Sequence, residues 1–189
     1  MAPEWVPWMM KELTARKLDD KVYLWSDDNL STDFFWQFLT DDDRELVNSY
    51  KNYSRVCCFK GFDRDSFSFN TKADSKYFDR QFEIMRRLLK ENIDIYAYAT
   101  FTTNSTIGIK KKISHFVDRL ADLDPNLPLR TVPLEIIAFT PVVNRLDHQA
   151  TIAIKNQFEA IEFWKKELEI RFSSEMINKS IESIPLRDN

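Results

Sequence analysis

Apolar and polar positions alternate between two rhythms along this chain. Val22–Trp25 is a short apolar run of β-branched and aromatic residues, as in a buried strand. It gives way to the polar turn Ser26-Asp27-Asp28-Asn29. Thr32-Asp33 can then cap a short helix bearing Phe34, Phe35, Phe38 and Leu39, and Asp41, Asp42 and Asp43 suit the positive end of the next helix. Arg55–Phe59 reads as a second strand running into Lys60-Gly61. After a polar loop comes the clearest helix, near Ser75–Glu91, whose Phe78, Phe82, Met85, Leu88 and Leu89 form one apolar stripe. Ile93–Thr102 is a third strand, followed by a helix carrying Ile109, Ile113, Phe116, Val117 and Leu120. Leu129–Phe139 is a fourth strand region. A last long helix, about Thr151–Phe172, carries Ile154, Phe158, Ile161, Trp164 and Leu168.

Strands that alternate with helices predict a parallel sheet with helical crossovers. The expected fold is α/β, built from parallel βα units as a partial (β/α) barrel of about four strands. It spans residues 1–172 as one domain, with a polar C-terminal tail over 173–189. A full eight-stranded barrel takes roughly 250 residues. The helix-like opening Pro3–Leu18, with no strand before it, also looks truncated.

Composition narrows the chemistry. The chain has 189 residues, enough for one domain with a real core, and a net charge of -3, which gives no global attraction to nucleic acid or acidic membranes. Its densest basic patch, Lys110 to Lys112, reads as a solvated helix start. Only two glycines occur, too few for a phosphate-cradling P-loop or a Gly-rich dinucleotide turn. The two cysteines are adjacent, Cys57 and Cys58. Neighbours on a strand point to opposite faces, so these two are not expected to share a metal or form a disulfide. Unpaired thiols, no signal peptide and no membrane-length apolar run place the protein in the cytoplasm. His115 and His148 fall in no metal-ligand spacing. No metal site is expected, and no catalytic residue can be assigned.

In parallel βα sheets, ligands meet the C-terminal ends of the strands. That rule selects Ser26-Asp27-Asp28-Asn29, Lys60-Gly61, Thr100-Phe101-Thr102-Thr103, and Glu135 with Thr140-Pro141. Lys60 stands out, because a lysine ending an apolar strand beside Gly61 can meet a ligand carboxylate or phosphate. Asp27, Asp28 and Glu135 are candidate substrate-binding carboxylates. As an acid/base pair they would suit a hydrolase, the third-ranked reading.

The stretch Val56-Cys57-Cys58-Phe59-Lys60-Gly61-Phe62-Asp63, then Ser66-Phe67-Ser68-Phe69-Asn70-Thr71 and a helix from near Phe78, resembles radical S-adenosylmethionine proteins of the activating-enzyme type. Ile93–Thr102 and Leu127–Leu134 are similar to later strands of that barrel. The likeness covers about residues 20–172. It implies S-adenosylmethionine at the strand ends, with its methionine carboxylate at Lys60. It places Ser26 and Asn29 facing the cofactor, and Thr102 near the ribose or substrate.

The family's C-x-x-x-C-x-x-C motif, which holds a [4Fe–4S] cluster, does not occur in this sequence. The expectation is therefore the C-terminal portion of such a barrel, a fragment or split product. It would not be competent for radical chemistry alone, and an N-terminal half or partner would supply the cluster. The alternative is a non-catalytic α/β module that binds a ligand or a partner protein. Neither reading involves nucleic acid or a membrane.

Overall fold

The computed structural model describes residues 2–139, 141 and 146–186. Among the described residues, four strands form one parallel sheet: β1 (Leu24–Asp28), β2 (Tyr53–Phe59), β3 (Asp94–Thr100) and β4 (Thr131–Leu134). Their order across the sheet is the order of the sequence. The helices with described bounds are α1 (Trp5–Ala15), α2 (Phe34–Phe38), α3 (Asp41–Ser49), α4 (Arg64–Thr71), α5 (Phe78–Leu88), α6 (Ile109–Ala121), α7 (His148–Arg171) and α8 (Ser174–Ile177). The expected α/β fold of parallel βα units is therefore what the chain adopts. The sheet is open, with β1 and β4 as its edges.

Strand alternation divides the core. Cys57, Phe59, Ile95, Ala97 and Ala99 belong to one large apolar cluster with side chains from α1 to α7. Val56, Cys58 and Tyr96 belong to a small cluster of their own, against which Tyr98 and Ile181 pack. The helices thus contribute to the cluster on one face. The other face carries an aromatic patch in which Trp25 lies 5.2 Å from Tyr96, with Trp25 itself 48% exposed.

Several boundaries differ from those expected. β1 runs two to three residues later than the apolar run Val22–Trp25, so Ser26, Asp27 and Asp28 extend the strand instead of forming a turn. Their backbone pairs with Arg55, Val56 and Cys57. On an edge strand the polar side chains find solvent or partners, as Ser26 does with the Tyr53 hydroxyl at 2.6 Å. The segment after Gly61 is helix α4, not a loop. It starts on a reciprocal cap in which Asp63 accepts from the Ser66 backbone and Ser66 Oγ accepts from the Asp63 backbone.

The polar tail is docked over its described residues, up to Leu186. Arg130 Nη1 donates to the carbonyls of Ile181 and Ile184, and Asn126 holds that of Pro185.

Gly61 is required by close approach. A Cβ there would lie 2.5 Å from the backbone nitrogen of Phe67 and 2.8 Å from its Cα, inside the first turns of α4. The turn that ends β2 is thereby pressed onto α4, which fixes where Lys60 leaves the sheet.

Candidate functional site

A chamber of about 520 Å3 opens at the C-terminal ends of the strands. Ser26, Asp27, Asp28, Asn29, Arg55 and Lys60 all line it. Five of these six follow the strands expected from the sequence, as polar rim candidates, and the fold brings the five together. The sixth, Arg55, was missed, although an arginine inside the otherwise uncharged stretch Tyr53–Phe59 is a signal in itself.

The local structure explains each position. Asp28 closes β1, and its Oδ1 accepts from the backbone N–H of Leu30 at 2.7 Å. That bond helps hold Leu30 in the left-handed region at φ 52°, which costs a non-glycine residue about 1–2 kcal/mol. Complete burial of the Leu30 side chain offsets the strain.

Lys60 is fixed through its backbone. Its N–H donates to Gln81 Oε1 at 2.7 Å, and its carbonyl accepts from Asn70 Nδ2 at 3.0 Å. Among the described residues, no hydrogen bond or ion pair engages the Lys60 ammonium.

Arg55 is 4% exposed, with its guanidinium 4.6 Å above the Phe35 ring. Its Nε donates to Ser26 Oγ at 3.4 Å. Nη1 lies 3.7 Å from Asp28 Oδ2, too far for a hydrogen bond, and has no hydrogen-bond partner among the described residues. Burial works against the charge of Arg55, but Tyr53 and Asp28 outweigh it and hold its pKa above the ordinary value.

The two thiols report the local field. Burial pushes Cys58 up, the Lys60 ammonium pulls it back, and Asp27 and Asp28 push it further. Burial pushes Cys57 well up, with Asp28 adding and Arg55 opposing. Two acids and two bases therefore converge on the end of β2. Cys57 and Cys58 project to opposite faces, and both thiols are pushed away from the thiolate form that binds metal. This geometry does not fit an iron–sulfur cluster, whose ligands must converge. Among the described residues no group of three or more His, Cys, Asp or Glu is placed to hold a metal ion.

The remaining candidates lie elsewhere. Thr102 is buried and donates to Asn70 Oδ1 at 2.6 Å, while Asn70 Nδ2 also donates to the Thr102 carbonyl at 3.2 Å. It joins the end of β3 to α4 and does not line the chamber. Glu135 is exposed after β4, in the field of Lys165, and is not part of the lining either. The fold therefore does not gather Asp27 or Asp28 with Glu135 around this chamber. Thr140 lies outside the described residues. His115 and His148 are exposed. Lys112, from the basic patch, is engaged by Asp63 at 2.7 Å and Asp65 at 3.2 Å.

No protein-family model, curated protein or solved structure matches this chain. No helix among the described residues is long and apolar enough to cross a membrane.

Proposed function

We propose that this chain is the C-terminal portion of a radical S-adenosylmethionine barrel and that its charged chamber holds the aminocarboxyl end of S-adenosylmethionine. The carboxylate meets Lys60, and the ammonium turns to Asp28 and Asp27. One observation carries this reading: matched charges of both signs, Asp27 and Asp28 against Lys60 and Arg55, around a cavity at the C-terminal strand ends. An α-amino acid group brings one charge of each sign, so it can enter without leaving either uncompensated.

The topology supports the barrel. A doubly wound sheet reverses its strand order and carries helices on both faces, whereas sequential strands with helices on one face form the wall of a βα barrel. The resemblance over Val56–Asp63 and Ser66–Thr71 supplies the identity of the cofactor.

When bound, S-adenosylmethionine supplies the cleavable sulfonium. The residues of this chain bind and orient it: Gln81 and Asn70 fix Lys60, and the Leu30 turn fixes Asp28. The chain's cysteines do not fit the cluster, so another segment or chain supplies it. A partner that completes the wall would also cover the aromatic face around Trp25 and Tyr96. That exposed face equally favours the second reading, a non-catalytic module docking a partner protein. Two buried, unpaired thiols favour a reducing compartment such as the cytoplasm.

Calorimetric titration tests the assignment of Lys60. Lys60→Gln is expected to weaken S-adenosylmethionine binding tenfold or more, about 1.4 kcal/mol, with the unfolding midpoint unchanged because the ammonium makes no internal bond among the described residues. Equal affinity in the two proteins would remove Lys60 from the site.

A further inference from the structure

A second chamber of about 370 Å3 adjoins the first, and the two share Asn29, Ser31 and Lys60 as walls. Polar residues line it, yet the surface it presents is almost entirely carbon. Thr71, Gln81 and Arg80 turn their polar atoms to other partners. Thr71 Oγ1 donates to the Phe67 carbonyl at 2.7 Å and accepts from the Ala73 N–H at 3.1 Å. Gln81 Oε1 accepts from the Lys60 N–H, and its Nε2 donates to the Phe78 carbonyl at 3.2 Å. Arg80 Nε donates to the Ser31 carbonyl at 3.3 Å, and its Nη2 lies 3.5 Å from Asp33 Oδ1. Leu30, Phe67, Ala73 and Tyr77 complete the wall.

A held water needs two to four polar partners, and this wall presents almost no polar surface to supply them. An apolar group needs none and gains by leaving water. The Leu30 turn shapes the boundary, because it buries Leu30 in the chamber wall while Asp28, on whose side chain that turn rests, lines the charged chamber. The pair therefore suits a charged group in the first chamber and an apolar group in the second, and both volumes lie within the usual range of ligand pockets.

We propose that this second chamber is a substrate pocket that takes an uncharged apolar group, a small aromatic or a branched alkyl, of a molecule bound next to the charged chamber. The proposal goes beyond the S-adenosylmethionine reading and does not depend on it. It assigns the apolar chamber a ligand class of its own.

The test is a titration of the 15N-labelled chain with indole, with acetamide as the polar control. Indole is expected to shift the amides of Leu30, Thr71, Ala73 and Gln81 in a saturable way, and acetamide at the same concentration to shift none of them. Ala73 is exposed, so Ala73→Trp has room to be accommodated and to fill the chamber. It is expected to weaken indole at least tenfold and to leave S-adenosylmethionine binding unchanged. Tyr77→Ala, at another exposed position, removes part of the wall and is expected to weaken indole as well.

Indole shifts centred on other residues, an affinity unchanged in both variants, or equal binding of acetamide would overturn the proposal. Indole binding here without any S-adenosylmethionine binding would keep this proposal and overturn the cofactor reading. S-adenosylmethionine binding without indole binding would do the reverse.

Discussion

Trp164→Ala is expected to destabilise the protein by about 3–5 kcal/mol, the usual cost of emptying an aromatic core position. Trp164 is fully buried and lies 5.5 Å from the ring of Phe101 and 6.0 Å from that of Phe116. Through Phe116 it joins the aromatic group of Phe59 and Phe82, so it ties α7 to the sheet and to α5 and α6. Few other residues can take its place. The buried positions of α7 are Ala153, Gln157, Ala160, Ile161, Trp164 and Glu167, and only Ile161 and Trp164 among them are large and apolar. The alanines let the helix approach closely but bury little area. Urea unfolding of both proteins measures the loss. Trp164→Phe should retain most of the stability, since it keeps a ring in the same space. A loss below about 1 kcal/mol for Trp164→Ala would show that α7 is anchored elsewhere.

Arg130→Ala is expected to cost a similar amount, about 3–5 kcal/mol, and to free the C-terminal segment. The guanidinium is 2% exposed and serves four acceptors. Nε and Nη2 donate to the Ile95 carbonyl at 3.0 and 2.9 Å, Nη2 pairs with Asp94, and Nη1 reaches the carbonyls of Ile181 and Ile184 at 2.9 and 3.3 Å. Its plane also lies 4.1 Å over the Tyr96 ring. Removal takes this donor from the three carbonyls and leaves Asp94 with Ser54 Oγ, at 2.7 Å, as its near partner. Lysine keeps the charge but not the planar fork that reaches several acceptors at once, so Arg130→Lys should recover only part of the loss. Limited trypsin digestion follows the segment directly: faster cleavage at Lys179 is expected in Arg130→Ala. Unchanged stability together with unchanged cleavage would contradict this role.

The alternation of strand and helix was legible because each buried strand and most helices carry an apolar pattern of the right period. Helix α4 was not, because Arg64-Asp65-Ser66-Phe67-Ser68 reads as polar loop and its signal is the cap formed by Asp63 and Ser66, not a stripe. The face of α7 departs from the expected stripe at one position. Of Ile154, Phe158, Ile161, Trp164 and Leu168, Ile161 and Trp164 are buried and Leu168 packs against the core, yet Phe158 is 51% exposed. Polar residues instead take buried positions. Gln157 pairs with both the N–H and the carbonyl of Ile136 at 2.8 and 2.7 Å, and Glu167 accepts from Ser114 Oγ at 2.9 Å. A hydrophobicity pattern cannot see a buried amide that stands in for a strand partner.

The rule that ligands meet the C-terminal ends of parallel strands located the charged chamber. It could not separate Lys60, whose ammonium is free of internal bonds among the described residues, from Thr102, whose hydroxyl is committed to Asn70. That difference is made by tertiary hydrogen bonds.

The most direct measurement compares S-adenosylmethionine with 5′-methylthioadenosine, which lacks the aminocarboxyl group, by calorimetric titration into the unmodified chain. If the charged chamber holds that group, S-adenosylmethionine binds at least tenfold more tightly. Equal affinity, or no binding of S-adenosylmethionine, would contradict the assignment of this chamber to the cofactor.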